Sequence, residues 1–86
     1  MGGKRMTTRQ HLAHMVGKNV YVCCTGYAYS GVLETIGARS ITIREPSIVY
    51  ETGAWTATKW HDAQRLPTAR AVVMVGQIES IFEVVR

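Results

Sequence analysis

The sequence lacks any long hydrophobic run. No apolar stretch in its 86 residues approaches the roughly 18 residues that a membrane-spanning helix needs. The first six residues carry no lipidation pattern, and no secretory apolar segment follows them. We therefore expect a cytoplasmic protein that has no membrane partner.

Cysteine is also scarce. The two cysteines, Cys23 and Cys24, are adjacent in a segment rich in strand-forming residues. Neighbouring residues of a strand point to opposite faces, so these two side chains are badly placed to form a disulfide with each other. We expect free, at least half-buried thiols in a reducing compartment.

Recognisable catalytic and metal-binding patterns are missing. There is no Gly-x-Ser-x-Gly elbow, and Asp62, next to His61, is the only aspartate. His11 and His14 are one helical turn apart, but structural zinc needs four ligands and the chain has no Cys-x-x-Cys pair. We therefore predict neither a catalytic residue nor a metal or cofactor.

What the sequence does have is an uneven charge. The formal net charge is +4, and residues 1–18 alone carry Lys4, Arg5, Arg9 and Lys18 with no acidic residue. A local positive patch attracts polyanions, above all nucleic acid. These four residues are predicted to contact nucleic acid, although an ordinary solvated N-terminus would have the same composition.

The chain length and the hydrophobic periodicity indicate one mainly β domain over residues 1–86. Residues 1–7 are expected to form a flexible basic arm. A helix is predicted from Thr8 to Val16, capped by Thr7 or Thr8 and stopped at Gly17. Five strands should follow, with residues 45–67 as an excursion between the third and the fourth: Asn19–Thr25, Tyr27–Ile36, Ser40–Arg44 (with a bent continuation to Glu51), Ala69–Val75 and Ile78–Val85.

Gly31 lies inside the second predicted strand, where a glycine usually marks a sharp bend. Together with the short turns between strands, this bend predicts a strongly bent antiparallel five-stranded sheet that rolls into a small open barrel.

The last two predicted strands are apolar on both sides. Ala71, Val73 and Val75 would face the core, which leaves Val72 and Met74 outward. In the last strand, Ile81 and Val85 would lie opposite the side that carries Ile78, Ser80, Phe82 and Val84. No lysine or proline protects these edges, so we predict a head-to-tail cyclic homo-oligomer. Its interface would contain Val72, Met74, Ile81 and Val85, unless the helix and the excursion cover them.

Three aromatic residues, Tyr50, Trp55 and Trp60, lie in the excursion near Lys59 and Arg65. They would form either a surface for stacking bases or docking a partner, or a plug for the open end of the barrel or the space beneath the helix.

The pattern as a whole resembles the Sm/LSm family, which includes the bacterial Hfq branch. Residues 29–33 (YSGVL) with Ile36 are similar to its first motif, and residues 73–78 (VMVGQI) with Ile81 are similar to its second. Some family positions differ: Gly37 or Ala38 replaces an Asp, Arg39 or Ser40 an Asn, and Val75 an Arg. The Tyr-Lys-His turn of the bacterial branch is absent, so the resemblance implies no base preference.

The resemblance implies that the turns 37–40 and 75–77 line a central pore, where Arg39 would repeat in every subunit. Arg39, Ser40, Gly76 and Gln77 are thereby predicted to contact single-stranded RNA, or else DNA. The alternative is an SH3-like barrel that serves as a structural or protein-interaction module and binds no nucleic acid.

Overall fold

The computed structural model describes residues 7–85. Lys4 and Arg5, and with them most of the predicted basic arm, lie outside the described residues. No helix in the described part of the chain is long and apolar enough to cross a membrane.

The chain begins with helix α1, Thr8–Met15. Thr7 is its N-cap: the Gln10 backbone N–H donates to Thr7 Oγ1 at 3.1 Å, and the Thr7 backbone N–H donates to Gln10 Oε1 at 2.7 Å. The helix ends one residue earlier than predicted because Val16 has an extended backbone, and Gly17 follows in the left-handed region at φ 85°. Leu12 is buried and Met15 packs against the core.

Six strands follow the helix, one more than predicted. The extra strand, β4, forms inside the excursion, and the ends of the other strands differ by no more than two residues from the predicted ones. A 3-10 helix, Val75–Gln77, takes the place of the predicted turn. The strands are β1 (Asn19–Cys24), β2 (Ala28–Ile36), β3 (Ser40–Glu51), β4 (Asp62–Arg65), β5 (Arg70–Met74) and β6 (Ile78–Glu83).

The strands form one antiparallel sheet in the order β4-β3-β2-β1-β6, and β5 also pairs with β3. β3 is long enough to serve two partners on the same edge. Residues 40–44 pair with β5, and residues 47–51 pair with β4. The change of partner occurs at Glu45, whose φ is 51°, and at Pro46, which has no backbone N–H to donate. The predicted continuation to Glu51 is therefore confirmed.

The bend predicted at Gly31 is confirmed. The pairing of β2 with β3 shifts register between Ser30 and Val32. A Cβ added to Gly31 would collide with the Ile43 side chain and would lie 2.8 Å from the Arg44 carbonyl oxygen. Only glycine permits this approach of the two backbones, which curves the sheet around its core.

The core lies inside this curved sheet. Its buried members come from four strands, β1, β2, β3 and β5: Val20, Val22, Leu33, Ile41, Ile43 and Val73. Val75 was predicted to join them, but it is exposed because the chain has already left the strand for the 3-10 helix.

A register shift in the pairing of β6 with β1 contradicts one prediction, the side of β6 on which Ile81 lies. Ile81 pairs with Val22 and Ile78 pairs with Cys24, and the register shifts between Cys23 and Cys24. Because of this irregularity, Ile78 and Ile81 both pack against the core instead of lying on opposite sides. The placement of Ile81 on the outer side was therefore wrong, since strict alternation was assumed where the strand has an extra residue.

The barrel is open between β5 and β6. β5 pairs with β3 and β6 pairs with β1, and no pairing between the two last strands occurs in the described sheet. Each of the two strands therefore has one edge whose backbone groups have no partner strand among residues 7–85. We call the gap between these edges the open seam.

Candidate functional site

Two turns meet at one end of the barrel. The first connects β2 to β3, and its Gly37 backbone N–H donates to the Ser40 carbonyl oxygen at 2.7 Å. The second is the 3-10 helix, and its Val75 backbone N–H donates to the Arg39 carbonyl oxygen at 2.8 Å. We call residues 37–40 and 75–77 the turn cluster. The structure thus brings together the two turns that the resemblance to the Sm/LSm family implied would lie side by side.

Arg39 is the one cationic residue of the turn cluster. Its side chain is exposed, and no carboxylate among residues 7–85 forms an ion pair with it. Its backbone carbonyl oxygen accepts the hydrogen bond from Val75, and its side chain is exposed at this end of the barrel. A guanidinium that has no carboxylate partner can bind a phosphate through two parallel N–H donors.

The other predicted members of the turn cluster surround this point. Ser40 is half-buried, whereas Gly76 and Gln77 are exposed. The Thr25 backbone N–H donates to the Gln77 carbonyl oxygen at 3.1 Å, which ties the 3-10 helix to the β1–β2 turn. The space around the Gly76 Cα is open, so a ligand could approach the backbone there. Among residues 7–85, the Gln77 side-chain amide has no hydrogen-bond partner, so it can both donate and accept.

The helix lies close to the same end. Leu12 of α1 and Val75 of the turn cluster line one small cleft of about 180 Å³. Arg9 is exposed on α1. Lys18 lies beyond the helix, and its Nζ is 3.7 Å from Glu83 Oε1, so part of its charge is compensated. Arg9 is thus the better candidate for an additional phosphate contact.

The two cysteines are free and half-buried, as predicted. Burial, together with the nearby Cys23 and Glu79, raises the pKa of the Cys24 thiol. A raised pKa keeps the thiol protonated at neutral pH, which makes it a poor nucleophile. Among the described residues, no group of three or more His, Cys, Asp or Glu side chains could hold a metal ion.

A groove of about 540 Å³ runs along the unpaired edge of β5. Its lining includes Tyr27 and Tyr29 from β2 and its preceding turn, Val72 and Met74 from β5, and Gln77 from the turn cluster. Val72 and Met74 are 65% and 52% exposed, which confirms that they face outward. Val85, another predicted interface residue, is also exposed and lies beyond the end of β6.

Four aromatic side chains form a cluster on the outer face of β1 and β6. Tyr21 pairs with Phe82 across the two strands, and their rings are 5.2 Å apart. Trp55 lies 5.7 Å from both rings, and Trp60 lies 5.3 Å from Tyr21. We call Tyr21, Trp55, Trp60 and Phe82 the aromatic cluster.

The aromatic cluster shows that the excursion packs against the outer face of β1 and β6. Its tryptophans neither plug the barrel nor lie beneath the helix, and Tyr50 is separate, with its hydroxyl 3.3 Å from Gln64 Oε1. Tyr21 and Phe82 were missed from the sequence because their ring contacts join residues 27 to 61 positions apart, and such contacts leave no local pattern. The sequence offered one signal: Tyr21 lies between Val20 and Val22, so its side chain points to the opposite face of the strand from theirs.

Comparison with known proteins relates this geometry to solved structures. No family model matches the sequence, and no curated protein matches it either. The SmAP1 heptamer of P. aerophilum superposes with a TM-score of 0.74 at 14% identity, over 96% of this chain and 100% of that one.

Two further structures agree. A heptameric archaeal Sm protein has a TM-score of 0.66 at 15% identity, over 85% of this chain and 94% of that one. The Sm protein of Pyrococcus abyssii, solved in complex with a uridine heptamer, has a TM-score of 0.67 at 11% identity, over 91% of this chain and 99% of that one. With its N-terminal helix and bent open barrel, the chain has the Sm fold.

Proposed function

We propose that this protein is a ring-forming homo-oligomer that binds single-stranded RNA at its turn cluster and catalyses no reaction. The observation that carries the proposal is the hydrogen bond between Val75 and Arg39. It joins the one cationic residue of the turn cluster to the end of β5, a strand whose other edge has no partner strand among residues 7–85.

The open seam supports assembly. A chain with two unpaired edges, β5 on one side and β6 on the other, can add a copy of itself at each edge. Contact between unlike edges is heterologous and gives a ring if the rotation closes. Two of the proteins that share the fold are heptamers.

A ring would multiply the charge of the turn cluster. The turn cluster lies at one end of β5, so pairing of β5 with the next subunit brings successive turn clusters close to one another. One Arg39 per subunit then becomes a circle of guanidinium groups, which repel each other unless an anion lies among them. A single-stranded phosphate backbone supplies regularly spaced anions.

RNA is the preferred ligand for two reasons. A protein of the same fold has been solved with a uridine heptamer. In addition, Ser40 and Gln77 place a hydroxyl and an amide beside Arg39, and both groups can donate to and accept from bases or a ribose 2′-hydroxyl. Arg9, Lys18 and the arm residues Lys4 and Arg5 would add contacts that depend on charge and not on base identity.

The proposal is tested with the variant Arg39→Ala. Loss of a charge-assisted contact costs about 1.5–3 kcal/mol, so we expect affinity for a short oligouridine to fall by about tenfold or more. Arg65→Ala is the matched control, because Arg65 is exposed on β4 and its removal lowers the net charge equally. The measurement is a binding titration at fixed salt, with the oligomer mass of each variant checked in parallel.

Equal losses for Arg39→Ala and Arg65→Ala would show that only net charge matters, which would contradict the proposed site. The exposed aromatic cluster favours a second candidate function, a protein-interaction module. That candidate predicts no oligouridine binding by the wild-type protein even at low salt.

A further inference from the structure

We infer that the aromatic cluster is a subunit clasp: the Trp55 side chain of one copy packs over Val72 and Met74 of the next copy. This inference rests on the proposed ring and names a surface that holds it together. The inference follows from three observations: which faces of β5 and β6 are already covered, the shape of the loop between β3 and β4, and the charge around the aromatic cluster.

The first step concerns the face of β6. Ile78 and Ile81 pack against the core of their own chain, so they are not available to a second copy. Phe82 lies on the opposite, outer face, where it pairs with Tyr21, and it is 39% exposed. The outer face of β6 therefore has an apolar surface next to its unpaired edge.

The second step concerns the face of β5. Val73 is buried in the core, so Val72 and Met74 lie on the outer face. The helix and the excursion were the alternative cover for these two side chains. Both side chains remain more than half exposed, so neither element covers them within the chain.

The third step joins the two faces. When the edge of β6 pairs with the edge of β5 from another copy, the strands become neighbours in one continuous sheet. If the two cores lie on the same side of that sheet, the two outer faces also share one side. Side chains on the same face of neighbouring strands are about 5 Å apart. Phe82 then lies beside Val72 or Met74 of the next subunit.

The fourth step concerns the loop between β3 and β4. Its ends are closed by the bond from the His61 backbone N–H to the Thr52 carbonyl oxygen at 3.2 Å, and a turn joins Ala57 to Ala54. Gly53, at φ 70°, allows the sharp entry to this loop. The loop holds Trp55 against Tyr21 and Phe82, yet 59% of Trp55 is exposed.

Charge argues against a nucleic acid as the occupant of this surface. Residues 45–67 and 78–83, which form the excursion and β6, together hold five acidic residues and two basic ones. Single-stranded nucleic acid that stacks on aromatic side chains needs a positive surface for its phosphates. An apolar, slightly acidic surface fits a protein, and Val72 and Met74 are exposed apolar side chains that lie at the complementary edge.

The first test is the stability of the assembly on dilution. Trp55→Ala removes the exposed ring, and we expect it to raise the concentration at which half of the protein has dissociated by about tenfold or more, as for other buried aromatic anchors. Tyr50→Ala is the matched control, since Tyr50 is an exposed aromatic residue of the same hairpin outside the aromatic cluster. It should dissociate like the wild type.

The second test reads the environment of Trp55 directly. Trp55 and Trp60 are the only tryptophans, so Trp60→Phe leaves Trp55 as the single reporter. Its emission should shift to longer wavelength as the assembly dissociates on dilution. An unchanged emission, or a Trp55→Ala variant that dissociates like Tyr50→Ala, would overturn the clasp while leaving the ring intact.

Two other outcomes separate the clasp from the proposed function. A wild-type protein that is monomeric at all concentrations would remove the ring, and the clasp with it. A Trp55 emission that responds to oligouridine but not to dilution would assign the surface to nucleic acid and would also overturn the clasp.

Discussion

At the scale of single residues, Gly31 allows the closest approach between β2 and β3 among the glycines of the described chain. Its absent side chain allows the backbone of β3 to approach, with the Arg44 carbonyl oxygen 2.8 Å from where a Cβ would be. The obstacle is partly backbone, which cannot rotate away as a flexible side chain can. The close approach of β2 and β3 at this bend therefore depends on one missing methyl group.

Gly31→Ala should lower the free energy of unfolding by about 1–3 kcal/mol, the usual cost of overpacking a core. Gly26→Ala is the control, because a Cβ at Gly26 would meet no atom within 4 Å and should change stability by less than about 0.5 kcal/mol. Urea titration of both variants measures the difference. Equal stabilities would show that the sheet does not need the close approach.

At the scale of elements, an ion pair ties together two strands that are not neighbours. Arg70 on β5 donates from Nε to both carboxylate oxygens of Glu34 on β2, at 2.7 and 2.6 Å, across the intervening strand β3. This hydrogen bond, with the charges of Arg70 and Arg44, lowers the pKa of Glu34 below its ordinary value despite some desolvation.

The direction of that shift sets a pH dependence. A carboxylate with a lowered pKa in the folded state stabilises the fold above its unfolded-state pKa of about 4.3. This stabilisation is lost as the pH falls through the lower, folded-state pKa. The melting temperature of the wild type should therefore exceed that of Glu34→Gln at pH 7, and the gap should narrow below about pH 4.

Glu45→Gln is the comparison for this measurement, because the Glu45–Arg65 pair is longer, at 3.6 Å, and both side chains are more than half exposed. Its melting temperature should differ less from that of the wild type at pH 7. A Glu34→Gln gap that stays constant from pH 7 to pH 3 would mean that the carboxylate charge is not the cause.

The elements also show how far sequence reasoning reaches. The capped helix, the glycine bend and the outward side of β5 follow from local patterns at Thr7, Gly31 and Val72. β4 was not predicted because its pairing with β3 depends on a change of partner at Pro46, which only the folded sheet supports. Strict alternation failed at Ile81 for a related reason: β6 has an extra residue where its pairing with β1 shifts register.

The candidate site divides in the same way. The contact between the turns around Arg39 and Val75 follows the resemblance to a known fold, and the structure confirms it. The aromatic cluster could not be predicted in this way. Tyr21, Trp55 and Phe82 are far apart in the sequence and come together only on the outer face of the folded sheet. What these surfaces bind stays a prediction.

At the scale of the whole molecule, the barrel is incomplete. In the part of the chain that the structure describes, β5 and β6 keep one unpaired edge each, a groove follows one of them, and apolar side chains lie outside both. A small domain with a marginal core gains stability when such edges are paired. The central claim of this account is therefore that the chain closes its open seam with copies of itself.

Native mass spectrometry of the wild type beside Met74→Lys and Ala63→Lys tests that claim most directly. We predict one dominant wild-type mass at a fixed multiple of 9.6 kDa. Met74→Lys should give smaller species, because the lysine lies on the outer face of β5 at the seam, whereas Ala63→Lys, exposed on β4, should keep the wild-type mass. A wild-type protein of 9.6 kDa at every concentration, or a Met74→Lys variant with the full wild-type mass, would contradict the account.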